Sequence, residues 1–295
     1  MTQSLPVFTS TAGEAACMAA YQAVLDIWPV PYTSCMVPTS FGDTHVIASG
    51  RDDQPPLVLL HALFASAAAW YRNVEGLSTR YRVYAVDVIG EANKSRPSRT
   101  IRTQEELAGW FGELLDGLGI RQTDLAGNSY GAFMSAFYAM HMPERIRRLV
   151  LIGPASTFHP MLPFFVHMFI PKLACMLLPR LPGQQKIMRR SVEWMHAGIP
   201  GDGAWDELFY QLMLHGGMTT QVMPRVYKPE ELGRIQADTL LLVGEREVIY
   251  PPERAMRAAK KLMPNLKVAC IPDAHHIAAL SQPDLVNREI LDFLG

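Results

Sequence analysis

The stretch LAGNSYGA, Leu125 to Ala132, decides the reading of this chain. Before it lies the apolar run TDLAGN from Thr123, with the character of a buried strand; after it comes AFMSAFYAMHMPER, a helical pattern that stops near Pro143. Ser129 stands at the junction, with Gly127 and Gly131 two residues to either side. A strand that turns sharply into a helix around one serine lifts that hydroxyl clear of the backbone. Side chains at 127 and 131 would collide with neighbouring backbone, which accounts for both glycines. The following helix points its positive N-terminal end at the serine.

Working outward, several short apolar runs share the strand character of TDLAGN. They are PPLVLLHA (Pro55 to Ala62), YRVYAVDVIG from Tyr81, RRLVLIGPA from Arg147, DTLLLVGE from Asp238 and LKVACIPDA from Leu266. They are apolar almost throughout, as expected of parallel strands buried on both faces. Helical patterns alternate with them: Thr103 to Gly119, PPERAMRAAKKLM, and the closing QPDLVNREILDFL. The alternation predicts βαβ units and a mostly parallel, doubly wound sheet. SCMVPTSFGDTHVIASG reads instead as an antiparallel hairpin at the sheet edge, turning near Gly42. From Phe158 to about Arg234 no strand-like run occurs, and Met, Phe, Leu and Pro abound. This segment is expected to hold a helical cap insertion, 161–224, set over one end of the sheet. Its apolar side chains would line a pocket or form the insertion's own core. The remaining divisions are a helical N-terminal arm, 1–32, and a core of 33–160 and 225–295.

Composition excludes several classes. With 295 residues, 49% of them hydrophobic, the chain can bury a large core. Twenty-seven basic against 28 acidic residues leave a net charge of −1, so nothing favours nucleic acid as a partner. Cys17, Cys35, Cys175 and Cys270 are scattered without metal-ligand spacing. Neither a zinc site nor a disulfide framework is expected, and a reducing, cytoplasmic location is. The start lacks a signal-peptide pattern, and the most apolar stretch is broken by prolines and Lys172, so no membrane span is expected.

A serine hydroxyl needs a base, a group that orients the base, and donors for the oxyanion that forms. The base should follow the last strand, where only His275 and His276 lie, in AHHIAALSQP. His61 ends an early strand, His45 falls in the hairpin, and the other five histidines lie in or beside helical stretches. The orienting acid should follow the penultimate strand, where GEREVIYPP offers Glu245 and Glu247. GPASTF, after the Arg147 strand, has no carboxylate. Asp273 precedes the histidine loop and is poorly placed to reach around the imidazole. Asp87, at a strand end, reads as a brace for a turn.

These residues together resemble the α/β-hydrolase superfamily, from about Thr33 to the C-terminus. VLLHALFASAAAW is similar to the strand and oxyanion loop, VDVIGEANKSRP to the D-x-x-G-x-G-x-S segment, and GNSYGA to the nucleophile elbow. GEREVIYPP resembles G-x-x-D-x-x-x-P, which places Glu247 at the acid; AHHIAALSQP resembles the G-H loop, which places His276 at the base and His275 at the usual glycine. The GEANKS variant and the arm YQAVLDIWPVPY resemble a subgroup of bacterial carboxylesterases. The resemblance implies a helically capped α/β-hydrolase fold and a carboxylic-ester hydrolase with a Ser129–His276–Glu247 triad. Its oxyanion donors would be the backbone N–H groups of Leu63 and Tyr130. It implies a small-molecule ester substrate with a lipophilic part, no metal and no organic cofactor. A homodimer through the cap or the arm is compatible with it. Three positions depart from the pattern: Ala62 for a glycine, Glu247 for the commoner Asp, and His275 for a glycine. C–C bond hydrolysis and perhydrolysis use the same machinery, and a non-catalytic binding protein can share the fold.

Overall fold

A computed structural model describes residues 4–178 and 182–295. The first three residues of the expected arm, and 179–181 of the expected insertion, lie outside the described residues. The strands are β1 (Tyr32–Thr39), β2 (Gly42–Ser49), β3 (Pro56–Leu60), β4 (Arg82–Val86), β5 (Arg96–Pro97), β6 (Thr123–Asn128), β7 (Ile146–Ile152), β8 (Asp238–Gly244) and β9 (Lys267–Ile271). They form one sheet in the order β1-β2-β4-β3-β6-β7-β8-β9, with β5 beside β2. From β4 to β9 every pairing is parallel. β1 and β2 form the antiparallel hairpin at one edge, and Thr39 pairs with Gly42 at its turn. Gly42 sits at φ 123°, a conformation that favours glycine.

The buried runs behave as their composition requires. Leu57, Val58, Leu59 and Leu60 of β3 are inaccessible, as is all but a trace of β6. Helices on both faces exclude water from these strands. Full burial of each such aliphatic side chain contributes about 1.5–3 kcal/mol. On the helical side, Ser10 Oγ accepts the Gly13 N–H at 3.0 Å and starts the helix Thr11–Leu25. Thr103 Oγ1 does the same for Gln104–Gly117, accepting from Glu106 N–H at 3.2 Å. The helix Tyr130–His141 is buried along its whole length except at His141.

The order of the sheet positions the site. β3 is flanked by β4 on one side and β6 on the other, so the chain steps from β3 to β4 in one direction and then crosses back past β3 to β6 in the other. The crevice opened at the carboxyl edge by such a reversal is where α/β sheets bind ligands. Leu60 and Gly127 are register partners there, so the loop after β3 and the turn after β6 leave the sheet side by side.

Between β7 and β8 the chain is helical: Leu162–Phe164, a π turn Phe165–Phe169, then Ile170–Leu177, Gln184–Met195 and Gly203–His215. Met168, Met188, Leu208 and Leu212 are buried among these helices. Leu162, Val166, Ile170 and Leu177 are half exposed or more, and they recur at helical spacing on one outward face. The helix Thr11–Leu25 packs against Gly203–His215 and buries Tyr21 and Val24. No helix among the described residues is long and apolar enough to cross a membrane.

Candidate active site

The elbow has the geometry its glycines require. Ser129 sits at φ 54°, ψ −110°, a strained conformation for a residue with a Cβ. Its N–H donates to Ile152 O at 2.8 Å, and its carbonyl accepts Phe133 N–H and Ala155 N–H, both at 3.0 Å. A Cβ on Gly127 would overlap the Gly131 carbonyl; one on Gly131 would overlap the carbonyls of Leu60 and His61. Neither glycine has positive φ. Close approach of backbone, rather than left-handed geometry, is what excludes a side chain at both positions.

Ser129, His276 and Glu247 converge although 147 and 29 residues separate the partners. His276 Nε2 lies 2.8 Å from Ser129 Oγ, and His276 Nδ1 lies 2.8 Å from Glu247 Oε2. With a carboxylate at Nδ1, the neutral ring carries its proton there. Nε2 is then left to accept from the serine hydroxyl. The Ile249 N–H donates to Glu247 Oε1 at 3.0 Å, fixing the carboxylate from its other side. The extra methylene of Glu is thereby accommodated by the loop after β8. Gly153, at φ 51°, completes the enclosure: a Cβ there would meet His276 O at 3.0 Å and Glu247 Oε2 at 3.4 Å. All three relay residues are buried, His276 most completely.

The loop after β3 is built around two buried side chains. His61 Nδ1–H donates to Ala62 O at 2.8 Å, and Nε2 accepts Val88 N–H at 3.0 Å. Burial pushes this imidazole below the usual histidine range, so it is a neutral bracket between two loops. Phe64 lies at φ 58°, and its N–H donates to Glu91 Oε2 at 2.8 Å. Among the described residues, neither the Leu63 nor the Tyr130 N–H has an acceptor. The Tyr130 hydroxyl donates to Val222 O at 2.7 Å, which ties the elbow to the segment that follows the helix Gly203–His215. A narrow void beside the site is lined by Ala62, Ala65, Trp70, Asn128, Trp205 and Ile277. Both amide atoms of Asn128 are buried there without a partner among the described residues.

The other candidates fall elsewhere. Glu245 is exposed and accepts the Asp273 N–H at 3.0 Å. Asp273 pairs with Arg246 at 2.6 Å, away from the imidazole. His275 is buried; burial, with His196 and His276 close by, pushes it down to about 3. Its Nδ1 accepts the Ile277 N–H at 3.1 Å, and its ring stacks on His196 at 5.5 Å. The histidine at the glycine position is therefore uncharged and holds the histidine loop. Asp87 is a wider brace than a turn requires. It accepts from Tyr21 Oη, His45 Nδ1, Ala67 N–H and Lys94 N–H. Three residues of this neighbourhood escape the sequence reading: Glu91, Phe64 and Gly153. For Glu91 the signal is present, a second acid four residues after Asp87 in a segment, VDVIGEA, that is otherwise apolar. Among the described residues no group of three or more His, Cys, Asp or Glu side chains could hold a metal ion.

Residues 55–189 match the family model described as alpha/beta hydrolase fold. Carboxylesterase YbfK of Bacillus subtilis (strain 168) is 34% identical over 286 residues, 93% of this chain and 92% of that one. The uncharacterized carboxylesterase nap of the same organism is 34% identical over 285 residues, 93% and 91% of the two chains. The crystal structure of naproxen esterase (carboxylesterase NP) from Bacillus subtilis superposes with a TM-score of 0.86 at 32% identity, covering 97% of this chain and 99% of that one. On this likeness across nearly its whole length, the chain belongs to the α/β-hydrolase family, within which it resembles bacterial carboxylesterases.

Proposed function

We propose that this chain hydrolyses carboxylic esters with a lipophilic part through an acyl-enzyme on Ser129. One observation carries the reading: the continuous hydrogen-bonded line from Ser129 Oγ through His276 to Glu247, 2.8 Å at each step, behind a serine in strained backbone. Ser129 Oγ attacks the acyl carbonyl while His276 Nε2 takes its proton. Glu247 orients the ring and stabilises the imidazolium. The N–H groups of Leu63 and Tyr130 receive the developing oxyanion, and among the described residues neither has another acceptor to give up first. His276 then returns the proton to the leaving alkoxide, and water activated by the same ring releases the acid. The carboxylesterase relatives support the ester as substrate class. Seven of the nine residues lining the void are alanine, tryptophan or isoleucine, beside His61 and Asn128, and this mostly apolar wall supports an apolar group on the ester. In this reading 161–224 act as a cap on a core of 33–160 and 225–295, with 1–32 as an arm. The four unpaired cysteines support a cytoplasmic setting.

A chain-length series of p-nitrophenyl esters tests the proposal, run with wild type and Ser129→Ala beside a vinylogous diketone ring-cleavage product. Turnover of esters alone, with a maximum above acetate and none in the variant, is the expected result. Preference for the diketone would replace the ester reading. Full ester turnover by Ser129→Ala would remove the mechanism.

A further inference from the structure

Glu91 is a buried acid for which the hydrolytic mechanism above has no use. It follows β4 in the segment IGEAN and is 1% exposed. Oε2 accepts the N–H of Phe64 at 2.8 Å, while Oε1 has no partner among the described residues. The residue it grips is unusual in two ways. Phe64 holds a left-handed φ of 58° without being glycine, which costs of order 1 kcal/mol or more unless its surroundings impose it. It also directly follows Leu63, whose N–H is one of the two oxyanion donors proposed above. On its other side the Phe64 ring carries the Lys172 ammonium, 4.7 Å from the ring centroid. Lys172 itself donates to Met213 O at 2.8 Å and Gly216 O at 2.6 Å.

We propose that Glu91 is a positioning residue for ester hydrolysis, clamping the Leu63–Phe64 turn so that the Leu63 N–H stays directed at the acyl oxygen. This inference rests on the hydrolytic reading of the site. Without the clamp, Phe64 relaxes toward negative φ, the Leu63–Phe64 peptide unit held by Glu91 turns, and the Leu63 N–H at the far side of the Leu63 Cα shifts with it. The loss falls on the transition state, because the oxyanion needs that donor more than the ground-state carbonyl does.

The same burial sets the charge of the clamp. Desolvation pushes the Glu91 carboxyl up to about 8; the Phe64 N–H opposes this and the Asp87 carboxylate adds to it. At neutral pH the clamp is an uncharged acid, which places no negative charge beside the oxyanion. Asp87 at the β4 end and Tyr130 at the elbow are the titratable groups that act on it directly, while His61 touches Val88 and Lys172 lies over the Phe64 ring. Lys172 is also pushed down by burial, to about 8. A glutamine at 91 therefore separates the two titrations, since it leaves Lys172 in place.

The experiment compares wild type, Glu91→Ala and Glu91→Gln on one p-nitrophenyl ester from pH 6 to 10, with Ser129→Ala as reference and a trifluoromethyl ketone as oxyanion-forming inhibitor. At pH 7, Glu91→Ala is expected to lose at least tenfold in kcat with KM within twofold, and to bind the ketone at least tenfold more weakly. Glu91→Gln, whose amide oxygen can still accept the Phe64 N–H, restores most of kcat. It also lacks the fall in kcat that wild type shows above about pH 8. Full activity of Glu91→Ala, or kcat and KM losses that track a lowered Tm with no rescue by Gln, would overturn the inference. If Ser129→Ala also turned over ester, the hydrolytic reading would fail instead.

Discussion

Two Ser-His-carboxylate lines run through this molecule, and their hydrogen bonds are nearly the same length. One is Ser129–His276–Glu247. The other is Ser34–His45–Asp87, with 2.6 Å from Ser34 Oγ to His45 Nε2 and 2.8 Å from His45 Nδ1 to Asp87 Oδ2. Everything around the lines differs. Ser129 sits in strained backbone at the head of a buried helix, and the two N–H groups proposed as its oxyanion donors have no acceptor among the described residues. Ser34 is exposed within an edge strand, opposite Ile47, with His45 its diagonal neighbour on the same face of the hairpin. Glu247 serves the imidazole and one N–H, whereas Asp87 serves four donors that join Tyr21, β2, the loop after β3 and the segment after β4. The second line is a fastening. In the reading proposed above, what makes the first line a nucleophile is strain that presents the hydroxyl and free donors for the oxyanion.

The sharpest way to break this contrast is Ser129→Ala. It should lower kcat by on the order of 10⁴-fold or more while leaving Tm near the wild-type value. Labelling with a fluorophosphonate should modify Ser129 alone; a mapped adduct on Ser34 would make the two lines equivalent. Next comes Glu247→Gln, which keeps the shape but favours the wrong tautomer of His276. A fall of about 10³–10⁴-fold in kcat is expected, against no change in kcat for Asp87→Asn in whatever fraction folds. His45→Ala should act in the opposite sense, leaving turnover per folded molecule unchanged while costing about 1–3 kcal/mol in denaturant unfolding, because the buried Asp87 carboxylate loses the shortest of the three hydrogen bonds on Oδ2.

A smaller effect separates the histidines by pH. His275 is held at about 3 when folded against about 6.5 when unfolded, so the unfolded chain binds the extra proton. Stability from this residue is complete above the unfolded value and is lost as pH falls toward 3, at of order 1 kcal/mol per pH unit. His275→Asn should flatten that slope in urea titrations between pH 6 and 4 without moving the pH dependence of turnover above pH 6. The least consequence belongs to Ser34→Ala: unchanged turnover, and a stability loss within about 1 kcal/mol, since its hydroxyl is partly solvated.

How far the sequence could be read follows from how local each signal is. The elbow lies within eight residues, and its glycines fail for the steric reason that their spacing implies. The buried strands declare themselves by unbroken apolar runs, and the histidine loop by its place after the last of them. Glu91 was not legible as a clamp, because nothing in VDVIGEA says that its carboxyl will turn toward a backbone N–H 27 residues earlier. The Ser34–His45–Asp87 line was equally hidden: its members come from three strand regions and meet only through antiparallel register. Left-handed Phe64 was invisible for a related reason. A strained φ is imposed by tertiary contacts and leaves no mark on residue choice unless glycine is required.

The helices between β7 and β8 occupy a connection that the fold must have in any case, since neighbouring parallel strands need a crossover of a dozen residues or more. Lengthening an existing crossover adds little entropy, as closure grows only with the logarithm of loop length. In the capped reading proposed above, selectivity and chemistry sit on separately mutable parts of the chain: substitutions between β7 and β8 alter which substrates are admitted while the elbow and both partner loops stay untouched.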